Sequence, residues 1–199
     1  MVSTGNKWKI MKTTVSLILL LTTLLLTGCG KTNQSKTKEN NTMENINKAL
    51  TVGDKIPTVL GVNEKGEEVK ASDFAGKKLV LYFYPKDSTP GCTAQACSLR
   101  DSYQSLLAKG YAILGVSVDS AVSHQKFIEK YNLPFSLIAD TDKKLVEAFG
   151  VWVEKGTPDK PRKGTLRTTF IVNEEGIIEE VILPGEVKTK EHGDQILNR

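Results

Sequence analysis

The sequence is poor in the residues that build metal clusters and disulfide frameworks. Its 199 residues include three cysteines (Cys29, Cys92, Cys97) and two histidines, His124 and His192. No Cys-x-x-Cys pair occurs, and three cysteines in a chain of this length exclude a disulfide scaffold. An excess of one charge is missing too. Met1 to Gly28 holds Lys7, Lys9 and Lys12 and no acid, and removing those three lysines leaves 24 basic residues against 23 acidic ones. That balance gives no electrostatic reason to expect nucleic acid as a partner. There is no internal repeat. What is present, 39% hydrophobic and 25% charged residues, is globular composition for one domain with an appendage.

The longest apolar run, Val15 to Leu26, has twelve residues, short of the roughly 20 that a spanning helix needs. With basic residues before it, the run suits the core of a signal peptide, whether translation starts at Met1 or at Met11. Leu26-Thr27-Gly28-Cys29 follows and resembles the bacterial lipobox, in which the cysteine thiol receives the lipid. Residues 1–28 are therefore expected to be a lipoprotein signal peptide, and Cys29 a lipid attachment site holding the protein to a bacterial membrane outside the cytoplasm. A short membrane anchor with an incidental cysteine is the alternative, and the length counts against it. Gly30-Lys31-Thr32 lacks the first glycine of a phosphate-binding loop, because that position is Leu25. Residues 29–49 are polar and rich in Asn and Lys, too poor in apolar groups to offset the entropy of ordering, and read as a tether. The folded domain is expected over 50–199.

Within it, Leu79–Tyr84 and Tyr111–Val118 read as strands buried on both faces, with a helix over Cys92–Lys109 between them, a right-handed parallel crossover. A helix over Ser120–Tyr131 is expected to face Val122, Phe127, Ile128 and Tyr131 inward. A short strand at Phe135–Ala139 and a helix over Lys143–Phe149 follow. Thr168–Val172 and Ile177–Leu183 flank a turn at Asn173–Gly176, so the sheet is mixed. A last helix is expected near Lys190–Asn198, and a hairpin of Val59–Val62 with Glu68–Lys70 at a sheet edge. The reading is an α/β architecture with a central mixed sheet and helices on both faces.

Pro85 to Cys92 (PKDSTPGC) leads from a buried strand into the first turn of a helix, where unpaired N–H groups and the dipole favour a thiolate. A buried, inert cysteine is the plain alternative. On a helical wheel Ala96, Leu99, Tyr103 and Leu106 lie within roughly 40° of Cys92, whereas Cys97 lies about 140° away. Five residues of α-helix separate the two Cα atoms by about 8.7 Å, beyond the reach of a disulfide unless the turn unwinds. The spacing permits oxidation of Cys92 first and capture by Cys97 after local opening.

These residues carry a resemblance. PKDSTPGC is similar to the peroxiredoxin pattern Pro-x-x-x-(Thr/Ser)-x-x-Cys, and TAQAC places a second cysteine as in the bacterioferritin comigratory protein, or Q-type, subfamily. Leu79–Pro85, Leu99-Arg100-Asp101, Gly150-Val151-Trp152 and Arg167-Thr168-Thr169-Phe170 extend the resemblance over nearly all of residues 50–199.

The resemblance implies a thioredoxin-like fold and a thiol-dependent peroxidase acting on hydrogen peroxide and alkyl hydroperoxides without a cofactor or metal. It makes Cys92 the peroxidatic and Cys97 the resolving cysteine, joined in an intramolecular disulfide that a thioredoxin-like donor reduces. Thr89 would orient the peroxide, Arg167 and the Cys92 N–H would polarise it, and Pro85 and Pro90 would shape the loop. A monomer is expected. Without the resemblance Thr89 reads as a helix cap and Arg167 as a solvated strand-edge charge. Gln95 receives no role beyond a helix-turn hydrogen bond, and His124 and His192 read as surface residues. Lys155–Gly164 is polar where subfamily members carry Met or an aromatic residue, so a preference for bulky hydrophobic peroxides is not implied. Asp119, Asp140 and Asp142 read as caps rather than metal ligands. Two alternative functions remain: a membrane-tethered thiol–disulfide exchange enzyme, and a copper-binding module of the same fold.

Overall fold

The computed structural model describes residues 49–199. The expected signal segment, Cys29 and nearly all of the expected tether lie outside the described residues. The described residues are tied in from residue 50 on, since Leu50 N–H donates to the Ala148 carbonyl at 3.1 Å and Gly53 N–H to that of Ile178 at 2.9 Å.

The strands are β1 (Val59–Val62), β2 (Glu68–Lys70), β3 (Lys78–Phe83), β4 (Tyr111–Ser117), β5 (Leu137–Ala139), β6 (Trp152–Thr157), β7 (Lys160–Thr165), β8 (Thr168–Val172) and β9 (Ile178–Ile182). The helices are α1 (Pro90–Asp101), α2 (Tyr103–Ala108), α3 (Ala121–Tyr131), α4 (Lys144–Ala148) and α5 (His192–Leu197). The central sheet has the order β5-β4-β3-β8-β9, in which β3 runs parallel to β4 and antiparallel to β8. It is the thioredoxin-like mixed sheet.

Strand β3 is buried on both faces because each of its two residue sets meets a different layer. Leu79, Leu81 and Phe83 pack with Leu60, Val146, Phe149 and Phe170 under the β1–β2 hairpin and α4. Val80, Tyr82 and, just beyond the strand, Tyr84 pack with Cys92, Ala96, Leu99, Phe127 and Ile196 under α1, α3 and α5. Two-residue alternation thus divides one strand between two cores. Cys92 enters the second of them.

Two expectations are corrected, and one element is added. The helix expected as one piece over Cys92–Lys109 is two, α1 and α2, which meet at Ser102. There Gly193 of α5 lies against the chain so closely that a Cβ on it would sit 2.4 Å from Ser102 Cβ. Val122 does not face inward: it is 59% exposed, and the buried stripe of α3 runs His124, Phe127, Ile128, Tyr131 at helical spacing. The polar stretch over Lys155–Gly164, which carries no element in the reading of the sequence, is β structure. It forms most of the β6–β7 hairpin, paired from Trp152↔Thr165 to Thr157↔Lys160.

Candidate active site

The loop after β3 reaches α1 through Pro85, Lys86, Asp87, Ser88 and Thr89. Thr89 stands at the N-cap and Pro90 at the first helical position, where a missing N–H costs nothing and the fixed φ suits the helix. Helical bonding to preceding carbonyls begins with Thr93 N–H donating to Thr89 O at 2.8 Å. The Cys92 N–H therefore belongs to the first-turn donors that a helix leaves free. Cys92 is 1% exposed, and no acidic residue stands in that turn to oppose a thiolate.

Arg167 meets this turn from far along the chain. Its Nη2 donates to Cys92 Sγ at 3.2 Å and its Nη1 to Gln95 Oε1 at 2.5 Å. The sheet register explains the meeting: β8 pairs antiparallel with β3, Phe83 opposite Thr168, so Arg167 stands beside the end of β3 from which the loop departs. Gln95, fully buried one turn beyond Cys92, fixes the other arm of the guanidinium, so Nη2 meets the sulfur as an oriented donor rather than a mobile charge. Lys155 adds a second cation. Its Nζ donates to the Thr165 carbonyl at 2.6 Å, and burial holds its ammonium below the usual lysine range, with Arg162 and Arg167 adding repulsion.

Thr89 does not cap the helix through its side chain. Its hydroxyl donates instead to the Lys86 carbonyl at 3.0 Å, which commits the proton and leaves the oxygen lone pairs as acceptors. Pro85 is half-buried at the start of the loop and Pro90 exposed at the head of α1. Cys97 is half-buried, and both Cys92 and Cys97 are free thiols. Among the expected caps, Asp140 does receive the Leu145 and Val146 N–H groups, at 3.1 and 2.7 Å. Asp119 instead accepts the Asp87 N–H at 2.9 Å and the Ser117 hydroxyl at 2.7 Å.

The pattern of the AhpC/TSA family matches residues 52–181. The chain belongs to that family, among its Bcp/PrxQ-type peroxiredoxins. Peroxiredoxin Bcp of Bacillus subtilis is 47% identical over 144 residues, which cover 72% of this chain and 90% of the relative. Peroxiredoxin Bcp of Escherichia coli is 41% identical over 149 residues, covering 75% and 94%. Among solved structures, peroxiredoxin Q of Xanthomonas campestris superposes with a TM-score of 0.64 at 37% identity, covering 69% of this chain and 85% of that one. As a member of the peroxiredoxins the chain is a thiol peroxidase.

In this peroxiredoxin both histidines are fully buried, contrary to the expectation of surface residues. His124 Nδ1 lies 2.9 Å from Asp87 Oδ2 and its Nε2 3.0 Å from the Ile138 carbonyl. His192 Nδ1 meets Gln195 Oε1 and its Nε2 meets the Thr169 hydroxyl, each at 2.9 Å. All four ring nitrogens have protein partners, which leaves neither ring free for copper and counts against the copper-binding alternative. The signal for His124 was its place in the α3 stripe. Gln95 carried a weaker one, a polar residue one turn from Cys92 on a helix otherwise apolar on that side.

Proposed function

We propose that Cys92 is the peroxidatic cysteine and Cys97 its resolving partner. The observation that carries this reading is the Arg167 guanidinium on Cys92 Sγ, at a helix N-terminus with free N–H groups and no acidic residue in its first turn. These donors favour the thiolate. The Cys92 thiolate attacks one oxygen of the peroxide, the O–O bond breaks, and the leaving hydroxide or alkoxide takes a proton to depart as water or alcohol. Cys92 becomes the sulfenic acid. Thr89 Oγ accepts the peroxide hydrogen bond, while Arg167 and the Cys92 N–H donate to oxygens that gain charge.

The Cys97 thiolate then attacks the Cys92 sulfur, expelling hydroxide, which becomes water, and forming the disulfide. Both thiols lie on α1, so its first turns must open for this step. A thioredoxin-like dithiol returns both thiols by exchange. Hydrogen peroxide and alkyl hydroperoxides are the proposed substrates. The solved structure of the X. campestris bacterioferritin comigratory protein, described for its alkyl peroxide reduction activity, supports the second class at 36% identity and a TM-score of 0.64.

The lipobox-like Leu26–Cys29 supports attachment of the mature chain at Cys29 to a bacterial membrane, with the catalytic domain outside the cytoplasm. Its reductant is then an extracytoplasmic dithiol protein. Conversion of Cys29→Ser to a species lacking the diacylglycerol mass, and its release from membranes, tests this part.

The catalytic reading is tested by adding one equivalent of hydrogen peroxide and following thiols and intact mass, with Cys92→Ser and Cys97→Ser alongside. Both thiols are expected to vanish within seconds, not at all in Cys92→Ser, and with a sulfenic or overoxidised product in Cys97→Ser. Thiols that survive for minutes in the unsubstituted chain overturn it.

A further inference from the structure

Asp87 is the midpoint of the loop that delivers Cys92, and it is buried at 6% exposure against a histidine at 0%. A carboxylate in such a place is costly unless every oxygen is satisfied. Here it is satisfied three times over. Tyr84 Oη donates to Oδ1 at 2.7 Å, and Ser123 Oγ and His124 Nδ1 reach Oδ2 at 2.6 and 2.9 Å. Burial by itself pushes the Asp87 carboxyl up. The bonds from His124, Ser123 and Tyr84 outweigh it and hold the group below its ordinary value.

The imidazole is equally committed. A backbone carbonyl can only accept, so His124 Nε2 donates to Ile138 O, while Nδ1 lies against the Asp87 carboxyl. The backbone of Asp87 is held too, through its N–H to Asp119 Oδ2 at 2.9 Å. One loop residue is thus fastened to the end of β3, to α3, through His124 to β5, and to the end of β4.

Immediately after this fastening the chain turns into the left-handed region, with Ser88 at φ +57°, a conformation that serine adopts only under constraint. Thr89 and the head of α1 follow. A second fastening stands further along α1, where Gly193 N–H of α5 donates to Ser98 Oγ at 3.0 Å. Both thiols lie between the two anchors, in residues 88–97.

We propose that the buried Asp87–His124 pair is a positioning device for the peroxide-reacting geometry and the upstream boundary of the segment that unwinds for the Cys92–Cys97 disulfide. Neither residue touches substrate. The pair acts by holding Ser88 in its turn, which sets Thr89 Oγ and the first-turn N–H groups around Cys92. It also confines rearrangement to the ten residues between Asp87 and Ser98. The inference rests on the roles proposed above for Cys92 and Cys97.

The test measures two steps separately in the full chain by rapid quench and intact mass: second-order oxidation of Cys92 by hydrogen peroxide, and first-order formation of the disulfide. His124→Gln can reach Asp87 or Ile138 but not both, Asp87→Asn removes the charge, and Ser123→Ala removes one of three bonds at a half-buried position. His124→Gln and Asp87→Asn are expected to slow oxidation at least tenfold while disulfide formation stays equal or quickens, with Ser123→Ala slowed two- to fivefold in the first step only. If the first two variants do not fold, Ser123→Ala decides. Both rates unchanged, both reduced by one factor, or a slowed disulfide step with normal oxidation overturns the proposal. An unsubstituted chain that forms no Cys92–Cys97 disulfide instead overturns the parent reading, which separates the two failures.

Discussion

Arg167 Nη2 reaches Cys92 Sγ at 3.2 Å across 75 residues of chain, and the same guanidinium is held at its other arm by Gln95. Arg167→Met should therefore cost more than a charge. It removes a donor aimed at the reacting atoms, and losing one such donor costs about 100- to 1000-fold in rate. Gln95→Leu leaves the arginine in place but unoriented, which should cost about tenfold, the worth of one hydrogen bond to a charged group. Stopped-flow oxidation by hydrogen peroxide ranks the two, and a Gln95→Leu variant as slow as Arg167→Met would contradict the division of labour.

Acid should weaken the fold through His192. Burial holds its pKa below the ordinary 6.5, partly offset by the Gln195 hydrogen bond, and the Arg167 charge lowers it further. As pH falls through the ordinary value, the unfolded chain binds a proton that the folded chain refuses, so stability drops with falling pH. The loss stops only where the folded histidine protonates too. Urea midpoints between about pH 8 and about pH 5.5 should fall in the unsubstituted chain and fall less in His192→Asn.

Gly193 is required for the seating of α5 on α1 and α2. A Cβ there would lie 2.4 Å from Ser102 Cβ and 2.7 Å from the Ser98 carbonyl, which is backbone and cannot step aside. Gly193→Ala should destabilise by about 1–3 kcal/mol, the usual cost of overpacking, with an unchanged denaturant slope. An unaltered midpoint would show that α5 shifts freely.

Leu81 and Val122 separate core from surface. Leu81, in the central strand, is fully buried, and Leu81→Ala should cost about 2–5 kcal/mol. Val122 is 59% exposed. Val122→Ser should change stability by no more than about 0.5 kcal/mol. A large loss at Val122 would restore the inward placement that sequence periodicity alone suggested.

The elements that were legible in the sequence are those with local signals. Leu79–Tyr84 announced itself as a doubly buried strand, and the turn at Asn173–Gly176 announced the β8–β9 hairpin. The β6–β7 hairpin was missed because Gly156, Pro161 and the charges at Lys155, Lys160, Arg162 and Lys163 mimic a loop; its strands stand apart from the central sheet and carry little apolar alternation. His124 was misplaced because a charged or polar type was weighed above its position in the Phe127–Tyr131 stripe. Its burial depends on Asp87, 37 residues earlier, arriving to pair with it.

By itself the sequence determined the mixed α/β sheet, the strand-to-helix loop at Pro85–Cys92, and two cysteines that intact helix geometry keeps apart. Those follow from periodicity, turn chemistry and rise per residue, which act within a few positions along the chain. The tertiary structure alone decided that Arg167 and Gln95 close on Cys92, that Thr89 spends its proton on Lys86, and that both histidines are interior. Each depends on sheet register and layer packing. The pairing of Phe83 with Thr168 sets a distance between residues 75 apart, and no local preference carries that information.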